Sequence, residues 1–113
     1  MISKKYRFHG HGSLNYVHRN GKTERSTHMM MKSTPNSRRE VSRFAVVVSK
    51  KVYKSAVKRN RIRRRVFEII RLSIKPDSPV FDVVFNIYSP EVIDVPHEKL
   101  TKEVQGLLKT IDF

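Results

Sequence analysis

From residue 50 to residue 67 the chain carries nine Lys and Arg and no acid, and inside that run the apolar residues are spaced for one face of a helix. Val66, Ile69 and Ile70 follow Ile62 at offsets of four, seven and eight, which at about 100° per residue places all four on one stripe. No Gly or Pro interrupts residues 55–75, and the spacing predicts a helix over residues 56–72. Asn60, Arg61, Arg64 and Arg71 fall on the opposite arc, with Arg63 and Arg65 on the flanks. The stripe must be buried against another element, so the rest of the chain has to supply a surface to receive it.

The basic arc has two readings. A face that only keeps a protein soluble mixes signs, because opposite charges three or four residues apart support a helix. An arc of one sign suits a polyanion: several guanidinium groups can lie along a phosphate backbone, each pairing with two oxygens. The whole chain favours the second reading. Its formal charge is +14 on 113 residues, and 20 of the 24 Lys and Arg lie in residues 1–72 beside three acids, giving +17 there and −3 in the remainder. Self-repulsion on that scale opposes compaction and is relieved by phosphates. The first part is therefore expected to bind nucleic acid while the second completes the fold.

At this length one domain with one core is expected. Residues 1–12 are basic, hold two glycines and lack periodicity, which suggests a flexible arm ahead of a single domain over residues 13–113. Ser13 can cap a short helix over residues 13–20, ended by Asn20-Gly21. Residues 25–33 read as a strand followed by a turn at Ser33-Thr-Pro-Asn-Ser37, and residues 44–48 as a buried strand. After the basic helix, residues 80–88 read as a central strand and residues 96–109 as a closing helix with Leu100, Val104, Leu107 and Leu108 at helical spacing. The order helix, strand, strand, helix, strand, helix makes the fold α+β.

Several classes are disfavoured. With no cysteine there are neither disulfides nor thiolate metal sites, and no apolar run approaches 18 residues, so a cytoplasmic protein without membrane association is expected. His9 and His11 lack a nearby third ligand, so no metal site is expected. The first 72 residues hold only Glu24, Glu40 and Glu68, which leaves no paired carboxylates or nucleophile set for catalysis by the protein.

Two segments carry a more specific signal. Val48-Ser-Lys-Lys-Val52 followed by Ala56-Val-Lys-Arg-Asn-Arg-Ile-Arg-Arg-Arg65 closely resembles the signature of the protein subunit of bacterial ribonuclease P. The resemblance is tight over about 20 residues and loose over most of the chain. It implies an α/β sandwich with a four-stranded sheet, about three helices and a left-handed βαβ crossover through the basic helix. Handedness rules alone point to a right-handed crossover. It also implies a small accessory subunit, paired one to one with a catalytic RNA that removes the 5′ leader of precursor tRNA. In that picture the RNA and its magnesium ions perform the endonucleolytic hydrolysis, and the protein binds no cofactor of its own. Arg59, Asn60, Arg61, Arg63 and Arg64 inherit the RNA contact, with Arg65 beside them and Lys50, Lys51 and Lys58 as phosphate contacts.

The resemblance further implies a cleft between the sheet and the first helix that holds the single-stranded leader. Matching that helix to residues 13–20 places Leu14, Val17 and His18 in the cleft. Positions where the family tends to carry Phe hold Leu14 and His18 here, which leaves Tyr16 and Phe8 as the aromatic candidates. Core packing is an equal reading for Leu14 and Val17. Two other departures stand out. Val-Tyr-Lys-Ser between Lys51 and Ala56 is one residue longer than the usual spacing, and Phe67 replaces a common Arg, leaving an aromatic near the outer face. Tyr53 and Phe67 are open to stacking on a base or to partial burial. The rival readings are a ribosomal-type or general RNA-chaperone protein, and a DNA-binding regulator. The second is disfavoured because a strand, rather than a first helix, precedes Lys50.

Overall fold

The computed structural model describes residues 4–8 and 11–113. Three α-helices and four strands follow one another as α1 (His11–Asn20), β1 (Lys22–Arg25), β2 (Met29–Pro35), β3 (Arg43–Val48), α2 (Ala56–Ser73), β4 (Phe81–Ile87) and α3 (His97–Lys109). The strands form one mixed sheet in the order β1-β2-β4-β3. β2 runs antiparallel to β1 and to β4, whereas β3 runs parallel to β4 with Val46 opposite Phe85. Parallel neighbours require a long connection, and α2 supplies it. The fold is thus α+β with a four-stranded sheet and a βαβ crossover through the basic helix.

Period-two alternation sorts the strand residues into two faces. Met29, Met31, Phe44, Val46, Val48, Val83, Phe85 and Ile87 are buried in the main core, with Ile62, Val66, Ile69 and Ile70 of α2 and Leu100, Val104, Leu107 and Leu108 of α3 packed into the same cluster. The four-residue stripe of α2 is the part that docks. Phe67 joins it at 6% exposure, which corrects its expected place near the outer face: the docked arc is wider than the stripe and extends to the helix flank. On the other side of the sheet α1 crosses β2 and β4. Val17 and Val84, both fully buried, lie outside the main cluster.

Local chemistry explains where the elements begin and end. Ser55 caps α2 by accepting from Lys58 N at 3.3 Å. Gly21 N bonds Val17 O at 2.7 Å, and a Cβ on Gly21 would sit 2.5 Å from that oxygen, so the tight exit from α1 admits only glycine there. The single strand expected over residues 25–33 is instead the hairpin of β1 and β2. It is broken where Ser26 Oγ and His28 N both donate to Glu103 of α3.

Within the arm expected over residues 1–12, Lys4–Tyr6 form a 3-10 turn, Arg7 bridges to Phe44 on the edge of β3, and α1 already begins at His11. The histidine pair weighed as a metal site falls on His9 and the His11 side chain, outside the described residues. Among the described residues, no helix is long and apolar enough to cross a membrane.

Candidate nucleic-acid interface

α2 presents its basic residues in two different ways. Lys58, Asn60, Arg61 and Arg64 are exposed, and Asn60 Oδ1 accepts a hydrogen bond from Arg63, which holds that guanidinium along the outer surface. Lys50 and Lys51 are exposed in the turn after β3, where Val52 N and Tyr53 N both bond Ser49 O. Six of these seven residues are cationic, and all but the half-buried Arg63 are exposed.

Arg59 and Arg65 turn inward instead. Arg59 donates to the carbonyls of Tyr53 and Lys54 at 2.9 and 2.8 Å, fastening the loop onto the first turn of the helix. Arg65 donates to Val92 O, Ile93 O and Val95 O at 3.3, 3.5 and 2.6 Å. The 3-10 turn Pro90–Asp94 that offers two of these carbonyls was not visible in the sequence. Tyr53 ties the same turn from the loop side: its hydroxyl donates to Pro90 O and accepts from Ile93 N. Burial pushes the Tyr53 hydroxyl above its ordinary pKa, partly offset by the Ile93 bond. Tyr53 is therefore a buried strut, 8% exposed.

On the opposite side of the sheet a groove of about 680 Å³ opens between α1 and the β2–β3 connection. Its floor is the ion pair of Arg43 and Asp82, two N–H···O bonds of 3.0 and 2.7 Å, with Asn36 Nδ2 donating to the same carboxylate at 2.9 Å. Tyr16 and Ser13 form one wall, and Arg38 and Arg39 the other. Tyr16 is 58% exposed. Phe8 reaches the groove indirectly, since the Arg43 guanidinium lies 4.8 Å from its ring centroid. Val17 is core, and Leu14 and His18 are half-buried, with Lys32 Nζ donating to His18 O at 2.9 Å. Of the five cleft residues expected, only Tyr16 lines this groove directly. Arg38 and Arg39 were missed, although a basic pair just after the turn at Pro35-Asn-Ser37 was the available signal.

Comparison with known proteins places this geometry. Residues 2–112 match the ribonuclease P family profile. The chain belongs to the ribonuclease P protein family. It is 37% identical over 108 residues to the ribonuclease P protein component of Chloroflexus aurantiacus, covering 96% of this chain and 78% of that one. It is 36% identical to that of Roseiflexus castenholzii, covering 96% and 87%. The ribonuclease P protein of Thermotoga maritima superposes with a TM-score of 0.81 at 25% identity, over 95% of this chain and 98% of that one. The Staphylococcus aureus protein, at 20% identity and a TM-score of 0.82, shares the fold. The chain is accordingly a ribonuclease P protein subunit, and an RNA is its family partner.

Proposed function

We propose that the outward run of Lys50, Lys51, Lys58, Asn60, Arg61, Arg63 and Arg64 binds the catalytic RNA of ribonuclease P, in a one-to-one complex in the cytoplasm. The observation that carries this reading is the outer arc of α2 from Lys58 to Arg64, which holds no acid, where exposed Arg61 and Arg64 lie opposite a fully docked apolar stripe. Rigid backing matters because a planar guanidinium fork loses less freedom on binding phosphate when its helix is already fixed. Arg59 and Arg65 act one step back, holding the loop and the 3-10 turn that frame the arc. The groove beside Tyr16 holds the single-stranded 5′ leader of precursor tRNA: Arg38 and Arg39 meet phosphates and the exposed ring offers a base a stacking surface.

In this reading the RNA and its magnesium ions carry out the endonucleolytic hydrolysis. The protein offsets repulsion between two polyanions and grips the leader, without a cofactor of its own. The test is reconstitution with an in vitro transcribed bacterial ribonuclease P RNA at low magnesium. The wild-type chain should restore removal of the leader, and Arg61→Glu with Arg64→Glu should lower that stimulation at least about tenfold while leaving the circular dichroism spectrum unchanged. Stimulation indifferent to both charge reversals would favour a general RNA chaperone.

A further inference from the structure

The outer arc of α2 does not end as it begins. Arg61 and Arg64 have no acidic partner among the described residues. One turn beyond Arg64, on the same arc, stands Glu68, the first acid after Lys50. Its carboxylate accepts from Arg71 Nε at 3.1 Å and from an Arg71 Nη at 2.5 Å, a fork closed on a carboxylate. The side chains of Arg71 and Glu68 remain 50% and 42% exposed, so the pair sits in solvent. Exposed intrahelical pairs contribute little to stability, which leaves the acid unexplained as a structural device. One turn further along, the arc carries Leu72, 65% exposed. The cationic stretch from Lys58 to Arg64 thus covers about 10 Å of helix, then gives way to a neutralised arginine and an apolar side chain.

We propose that Glu68 sets the limit of the RNA contact on α2: it occupies Arg71 and places a negative charge in the path of the phosphate backbone, which leaves the helix after Arg64. This rests on the RNA-binding reading above. The hydrogen bonds from Arg71 hold the Glu68 carboxyl below its ordinary pKa, with a smaller contribution from His97 at the start of α3, so the boundary stays charged through neutral and mildly acidic conditions. Arg71 is held correspondingly in its cationic state by the same ion pair. A limit of this kind defines where an RNA strand must turn away, and makes Glu68 a specificity determinant on a surface that otherwise accepts any polyanion.

The experiment is equilibrium binding to an in vitro transcribed bacterial ribonuclease P RNA over a series of KCl concentrations, with circular dichroism to confirm helix content. The slope of log affinity against log salt changes by about 0.7 to 0.9 for each phosphate that the protein neutralises. Arg61→Ala should flatten the slope by about that amount and weaken binding severalfold. Arg71→Ala should leave affinity within about twofold. Glu68→Gln should tighten binding about three- to tenfold and steepen the slope by the same increment, and the double variant Glu68→Gln with Arg71→Ala should return the slope to that of the wild type. The proposal is overturned if Arg71→Ala weakens binding as Arg61→Ala does, or if Glu68→Gln leaves the slope where it was. Loss of any effect from Arg61→Ala is a separate outcome: it removes the RNA-binding reading itself, and the boundary falls with it.

Discussion

The guanidinium of Arg65 ends on the main-chain carbonyl oxygen of Val95, 2.6 Å away, although Arg65 belongs to the same arginine run as Arg61 and Arg64. The run therefore divides by partner: Arg59 and Arg65 bond main-chain carbonyls, whereas Arg61 and Arg64 have no acidic partner among the described residues. Replacing Arg65 by Ala takes this donor from Ile93 O and Val95 O, while Val92 O keeps its bond from Val95 N, and a hydrogen bond from a charged donor contributes about 1.5–3 kcal/mol. Urea unfolding should show a loss of that size for Arg65→Ala and less than about 0.5 kcal/mol for Arg61→Ala. The salt dependence of RNA binding should show the reverse order.

Arg43 and Asp82 are 8% and 6% exposed, so their pair is buried beneath the groove. Removing one member of a buried pair strands the other charge and costs about 3–5 kcal/mol, whereas replacing both with apolar residues of similar volume is often close to neutral. Asp82→Ala should thus destabilise more than the double change Arg43→Met with Asp82→Leu. Equal losses in the two variants would show that the pair's hydrogen bonds, rather than stranded charge, set the cost.

Glu103 fastens the β1–β2 hairpin to α3. Burial opposes its ionisation, but bonds from Ser26 Oγ, His28 Nδ1 and His28 N outweigh that and hold its carboxyl below the usual range. A carboxyl with a depressed folded-state pKa stabilises above its unfolded value, about 4.3, and loses that contribution as pH falls through the folded value. Glu103→Gln should therefore lower Tm most near neutral pH, by the equivalent of about 1–3 kcal/mol. The gap between variant and wild type should close as pH falls below about 4; a gap that widened in acid would contradict the assignment.

Tyr16 is 58% exposed, so its loss should hardly affect stability. If a leader base stacks on it, Tyr16→Ala should weaken binding of precursor tRNA to the reconstituted complex by about 1–3 kcal/mol. Affinity for mature tRNA, which has no leader, should stay the same. Equal effects on both substrates would place the leader elsewhere.

Much of the architecture is legible in the sequence. The helix expected over residues 56–72 is Ala56–Ser73, and the strands expected over residues 44–48 and 80–88 are Arg43–Val48 and Phe81–Ile87. In each the hydrophobic period and burial agree. The hairpin was not legible because its break at residues 26–28 contains no Gly, Pro or Asn. Ser26 N and Oγ close the turn on Met29 O, and Glu103, 75 residues beyond His28, ties it to α3. The same limit applied within the arginine run. Arg59 and Arg65 look like their neighbours in sequence, and only the carbonyls at the Tyr53 loop and the residue 92–95 segment distinguish them. Arg38 and Arg39 lie outside any periodic segment, and their one local mark is that of a basic pair following the turn at Pro35-Asn-Ser37.

The sheet order β1-β2-β4-β3 makes the last strand the keystone: β2 and β3 touch only through β4, which begins at Phe81. All but three of the 24 Lys and Arg precede that point. During synthesis the chain therefore emerges as a nearly complete polycation before its sheet can close, and residues 81–113 must leave the ribosome before α2 has a finished surface to dock on. A nascent chain in that state is exposed to any RNA within reach, so the timing of β4 governs whether the charge is first met by a folded protein or by an unfolded one.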